Sequence, residues 1–121
     1  IFVKLAMEGK QLTIQGDGSA HRKFIYVEDI AEGNVAALKS EATNQVINLE
    51  GPRNISVKEV ADTVNELFDG KVQIDYVKAR PGDYAGKEVS NSKGKKLLGW
   101  EPQVDFKEGA KSFIEWYKNN V

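Results

Sequence analysis

The sequence predicts an α/β fold, a small sheet with helices packed on it, and three observations lead there. Some short runs alternate apolar and polar residues at the strand period. Longer runs repeat their apolar positions at the helical period, and the two kinds interleave along the chain. Glycine or Gly-Pro breaks separate them.

Phe2, Leu5 and Ala6 recur at helical spacing up to Gly9, the tail of a helix with a glycine stop. Leu12, Thr13, Ile14 and Gln15 alternate as a short strand. Over 27–38 the apolar positions Ile30, Ala31, Val35 and Leu38 describe a helix, with Glu28 and Asp29 in the first turn, where the helix dipole favours anions. Residues 45–49 read as a further strand, ended by Gly51-Pro52. Ser56 and Glu59 form a capping box ahead of one apolar stripe, Val57, Val60, Ala61, Val64, Leu67 and Phe68, that runs as far as Gly70. Residues 72–77 alternate again, Val72, Ile74 and Tyr76 facing one way. After a loop at 80–86, Asn91 or Ser92 caps a short helix through Leu97 and Leu98 that stops at Gly99. Asp105 and Glu108 repeat the capping pattern before a last helix whose Phe106, Ala110, Phe113, Ile114 and Tyr117 face inward.

With 121 residues, 40% of them hydrophobic, the chain suits a single domain with one core. No repeat, low-complexity tract or linker divides it. Seventeen basic residues nearly balance eighteen acidic ones, which leaves no global field to draw nucleic acid or an anionic membrane. The absence of cysteine excludes a disulfide framework and a Cys-based zinc site, and one histidine cannot make a cluster. No apolar run approaches a membrane span and no signal peptide is visible, which points to the cytoplasm. The chain begins at Ile1 and its one methionine is Met7, so it reads as a piece of a longer protein.

Chemistry concentrates in two loops. The turn Gly16-Asp17-Gly18 delivers Arg22 to the start of an apolar run, and Arg80-Pro81-Gly82-Asp83 holds a second arginine on a rigid corner. A guanidinium is a planar fork of donors suited to phosphate or carboxylate. From the residues alone, Arg22 reads first as a solvated side chain, and Arg80 with Asp83 equally as a loop salt bridge. His21 is expected on an exposed turn, with no Ser or Cys nucleophile placed to use it. Lys93, Lys95 and Lys96 read as a solvated helix face, and Trp100 and Trp116 as packing. The sequon Asn54-Ile55-Ser56 is better read through Ser56 as a helix cap.

The order Gly16-Asp17-Gly18, Arg22, Phe24-Ile25-Tyr26-Val27, Asp29 resembles a signature of the extended short-chain dehydrogenase/reductases, the NAD-dependent sugar-nucleotide epimerases and dehydratases. The likeness continues through Val46-Ile47-Asn48-Leu49, Ser56 to Glu59, Arg80 to Asp83, Ser92-Lys93, Leu98 to Pro102 and the helix bearing Phe113, Trp116 and Tyr117. It spans nearly the whole chain and is most similar to the UDP-glucose 4-epimerases.

The resemblance implies the C-terminal, substrate-binding lobe, with the NAD-binding Rossmann half lying outside this chain. Arg22 and Arg80 would grip the diphosphate of a UDP- or dTDP-sugar, and Asp83 would reach the ribose. The strand end from Thr13 to Gln15 would hold the base; many relatives carry an aromatic residue at the position of Gln15, whose amide can instead pair with a uracil or thymine edge. Gln15 as a plain polar strand end fits equally.

No catalytic residue is expected here. The cofactor fingerprint fails because His21 stands where the third glycine of G-x-G-x-x-G would fall, and no tyrosine has lysine four positions later. The intact enzyme would invert C4 through a keto intermediate with NAD. A dTDP-glucose 4,6-dehydratase or related reductase is the enzymatic alternative. A non-catalytic nucleotide-sugar or partner-packing module is the other. Loss of the nucleotide domain would uncover Ile30, Val35 or Leu38 and favour a homo-oligomer.

Overall fold

Leu12 and Ile14 are completely buried, and the larger hydrophobic cluster forms around them. The computed structural model describes residues 1–39, 41–82 and 85–121. Its elements in chain order are α1 (Phe2–Met7), β1 (Leu12–Gln15), β2 (His21–Arg22), α2 (Val27–Lys39), β3 (Ile55–Ser56), α3 (Val57–Leu67), β4 (Ile74–Val77), α4 (Ser92–Leu98) and α5 (Phe106–Asn120). The α/β class expected from the sequence is the one observed. Two contact-dense units divide the chain: one comprises 1–22, 55–86 and 110–121, the other 23–54 and 87–109.

In the first unit β1 pairs in parallel with β4, Leu12 opposite Ile74 and Gln15 opposite Val77. Alternation along β1 sends Leu12 and Ile14 inward, where Ala6, Ala61 and Val64 from α1 and α3 cover them, and leaves Thr13 exposed. The α3 start behaves as its capping box predicts, since Ser56 Oγ accepts the Glu59 N–H at 3.0 Å. Tyr76 departs from expectation. It is 51% exposed, because the inward set of β4 ends at Ile74.

Of the last helix, Ile114 is buried, but Phe113 and Trp116 are about half exposed and stack on each other, with ring centroids 6.0 Å apart. The expected inward Phe113 is therefore corrected. The apolar stripe on α5 is wider than the surface available to cover it.

In the second unit α2 lays Gly33 against Leu49 and Trp100, and a Cβ at Gly33 would come within 2.7 Å of Leu49 Cδ1. Phe24 packs on Phe106 at a centroid distance of 5.3 Å. Residues 45–49 form no strand and join no ladder among the described residues, which corrects the expected strand. Side chains fix the region instead. Asn91 donates to the Glu50 carbonyl at 2.8 Å and accepts the Glu50 N–H at 2.9 Å. Committed in this way, the Asn91 side chain does not cap α4, whose C-terminus is closed by Gly99 in the left-handed region as expected. Asp105 accepts from Lys107 N–H at 3.4 Å and Arg53 Nε at 3.1 Å.

Candidate functional site

Parallel pairing brings the C-terminal ends of β1 and β4 to the same side of the first unit, and the chain reverses there. Gly16 N–H donates to the Val77 carbonyl at 2.9 Å, which carries the pairing one residue beyond the strands. Gly16 and Gly18 then take φ of +72° and +77°, the left-handed backbone that glycine adopts without steric cost. Between them, Asp17 Oδ1 accepts the Ser19 hydroxyl at 2.6 Å and the Ser19 N–H at 2.9 Å. Those bonds, the hydroxyl's first, hold the Asp17 carboxyl below its ordinary value.

The turn feeds β2, which pairs antiparallel with β3, His21 opposite Ser56 and Arg22 opposite Ile55. It also satisfies the head of α3: Val57 N–H donates to Ala20 carbonyl at 2.8 Å and Lys58 N–H to Gly18 carbonyl at 3.0 Å.

One end of the arginine loop meets the glycine turn and the other meets β2. At its start, Ala79 Cβ lies 3.3 Å from where a Cβ on Gly16 would stand. At its return, the Ala85 carbonyl accepts the His21 N–H at 2.9 Å, and Gly86 approaches the imidazole so closely that a Cβ there would meet Nε2 at 2.5 Å. His21 is therefore partly buried in a strand, not on the exposed turn expected of it, because a backbone partner lies on either side.

Arg80 follows Ala79, which packs at Gly16, and Arg22 follows His21, which bonds to Ala85. Both side chains are exposed, and Arg22 Nη1 donates to the His21 carbonyl at 2.6 Å. Thr13 is exposed and Gln15 half-buried, on the face of β1 turned away from Leu12 and Ile14. Asp83 lies outside the described residues. The carboxyl ends of parallel strands are where α/β folds bind ligands. Sequence reasoning found the arginines but not the pins, since the Val77 and Ala85 carbonyls leave no side-chain signature. The Asp17-Gly18-Ser19 turn did leave one.

Each unit also carries a hollow. One of about 660 Å³ in the second unit is lined by Lys23, Glu88, Asn91 and Gln103. The other, about 590 Å³ in the first unit, is lined by Gln11, Phe68, Lys71 and Gln73. Neither includes Thr13, Gln15, Arg22 or Arg80.

The residues do not fit a dinucleotide. The glycine turn leads into a strand rather than a helix, and Gly18 is pressed on α3, where a Cβ would lie 3.0 Å from Lys58 Cβ and 3.2 Å from Lys58 N. Its close approach serves the protein's own helix, not a pyrophosphate. Among the described residues no cluster of His, Cys, Asp and Glu could hold a metal, and no helix is long and apolar enough to cross a membrane.

The family described as GDP-mannose 4,6 dehydratase matches residues 1–113. The chain belongs to this family. It is thereby one of the extended short-chain dehydrogenase/reductases, and its fold is that of their C-terminal lobe. UDP-glucuronate 4-epimerase of Thermodesulfobacterium geofontis is 36% identical to it over 121 residues, 99% of this chain and 37% of that protein. UDP-glucuronic acid decarboxylase 6 of Arabidopsis thaliana is 37% identical over 108 residues, 89% of this chain and 31% of that protein. The UDP-glucuronic acid 4-epimerase of Bacillus cereus, solved with UDP-glucuronic acid and NAD, superposes with a TM-score of 0.89 at 28% identity, covering 99% of this chain and 39% of that one. The chain thus spans about a third of these curated relatives' length. These relatives are sugar-nucleotide epimerases and decarboxylases.

Proposed function

We propose that residues 1–121 form one substrate-binding domain of a longer cytoplasmic enzyme, an NAD-dependent sugar-nucleotide epimerase that inverts C4 through a keto intermediate. The observation that supports this most is that Ala79 packs at Gly16 and Ala85 bonds to His21, so that Arg80 and Arg22 each sit one residue from a contact joining the two loops. Two guanidinium forks match the two charges of a UDP- or dTDP-sugar diphosphate through paired, charge-assisted bonds. Thr13 and Gln15 would meet the base and Asp83 the ribose. NAD and the proton-transfer groups would belong to a Rossmann domain outside this chain. This chain's residues bind and orient the substrate, a contribution that positioning alone makes large. A 4,6-dehydratase is the second reading, favoured by the description of the matching family. Nucleic acid is not a partner in either.

Calorimetric titration of the chain with UDP tests the reading. Binding that weakens in Arg22→Ala and in Arg80→Ala is expected, with no NAD binding and no epimerase activity from the chain alone. UDP affinity equal in both variants and the parent, with the fold intact, would return the arginines to the solvated surface.

A further inference from the structure

Arg22 leaves a very short ladder. Among the described residues β2 meets β3 only at His21 with Ser56 and at Arg22 with Ile55. One residue beyond that ladder on either strand stand Lys23 and Asn54, and both reach the Glu88 carboxylate. Asn54 Nδ2 donates to Glu88 Oε1 at 2.6 Å, and Lys23 Nζ lies 3.8 Å from Glu88 Oε2. Lys23 also donates to the Val89 carbonyl at 2.5 Å, a contact made across 66 positions of sequence. Its side chain is 18% exposed, against 78% for Glu88. Withdrawing an ammonium from water is costly unless its donors are occupied, so Lys23 is held to these partners more firmly than a surface ion pair would be.

Exposure along this run alternates: His21 and Lys23 are partly buried, while Arg22 and Phe24 are exposed. Successive side chains of an extended chain leave on opposite sides, so the tie at Lys23 grips the backbone from the side that Arg22 does not use. We infer that Lys23 is a positioning residue for Arg22. Tied to the Val89 carbonyl and joined through Glu88 to Asn54, it closes the open end of a two-residue ladder that would otherwise fray. Arg22 then departs from backbone fixed at both neighbours, His21 by the Ala85 carbonyl and Lys23 by the Val89 carbonyl. A guanidinium whose Cα is already held loses less entropy on meeting an anion. The consequence for ligand affinity rests on the proposed function; the consequence for the ladder does not.

Amide exchange and calorimetric titration with UDP on the same variants test this. Lys23→Met keeps the apolar stem and removes the ammonium. Expected are faster exchange at the Arg22 and Ile55 amides, unchanged exchange at the Leu12 and Ile14 amides of β1, and UDP affinity about tenfold weaker. Lys23→Arg should restore both readouts, since it can donate to the same carbonyl. In the Arg22→Ala background Lys23→Met should weaken UDP no further, because a positioning residue acts only through the side chain it positions. Should Lys23→Met fail to fold, Glu88→Ala, at a mostly exposed side chain, should speed the same two amides. Unchanged exchange at Arg22 and Ile55 in Lys23→Met, or in Glu88→Ala where that variant alone folds, overturns the inference. So does a further loss of UDP affinity in the double variant, which would make Lys23 a ligand contact in its own right. UDP affinity unmoved by Arg22→Ala overturns the proposed function instead, and the exchange measurement still decides the role of Lys23.

Discussion

Trp100 donates its indole N–H to the Asp29 carbonyl at 2.9 Å, and Asp29 in turn holds the chain just beyond that tryptophan. The Asp29 carboxylate, 3% exposed, accepts Gln103 N–H at 3.1 Å on one oxygen and Val104 N–H at 3.0 Å on the other. Backbone and side chain of one residue thus lock the segment between α4 and α5. The Asp29→Ala variant strands two amide donors and should lower stability by about 2–4 kcal/mol in chemical denaturation. Asn at the same position keeps one acceptor and should lose roughly half as much.

Truncating the strand core has a comparable effect through a different route. Ile14→Ala should cost about 2–5 kcal/mol, because the side chain is completely buried and its removal leaves a cavity. The denaturation midpoint should fall with the slope unchanged.

Two glycines should respond oppositely to alanine. At Gly51 a Cβ would stand 1.7 Å from the Phe24 carbonyl oxygen, so the backbone must move and Gly51→Ala should fail to give a stably folded chain. At Gly70 the space is open and only the φ of +70° resists, a cost of about 1–2 kcal/mol. Equal melting temperatures in the two variants would contradict this.

For the arginines the expected losses are quantitative. Arg22→Ala and Arg80→Ala should each weaken UDP binding about ten- to a hundredfold. Lysine at either position should recover only part, since it keeps the charge and loses the paired geometry.

Asp17 titrates in a known direction. Its carboxyl lies below the ordinary 3.8 because the Ser19 hydroxyl and N–H bind the ionised form. A carboxylate depressed on folding stabilises the turn at pH values above the unfolded-state pKa, and that contribution disappears as pH falls through the folded one. Nuclear magnetic resonance titration should place the Asp17 midpoint under 3.8, and Ser19→Ala should move it upward.

Where sequence signals are local they read correctly. Ser56 announces α3, Gly99 closes α4, and alternation at 12–15 buries Leu12 and Ile14. Where the outcome depends on a distant surface they do not. Alternation at 45–49 cannot supply a neighbouring strand, and none forms there among the described residues; periodicity draws Phe113 into an apolar stripe without providing a wall to receive it. His21 looked like a turn residue because its backbone partners, Ser56 and Ala85, are 35 and 64 positions away. Of the candidate site, the residue types are legible in the sequence, while the Val77 and Ala85 carbonyls that bond Gly16 and His21 are not.

The tie between the glycine turn and its distant partners also sets when the site can exist. Leu12 and Ile74 are 62 positions apart, so the loop they close is long, and its closure entropy must be met before their pairing returns anything. Folding of the first unit is accordingly expected to be slow for its size, with the arginine corner assembled late. A peptide spanning only the turn and Arg22 would lack both pins and have no fixed direction for its guanidinium. On the proposed function, ligand capture at this corner and cooperative closure of the sheet would be a single event, and UDP should report on unfolding of the whole unit rather than on a local opening.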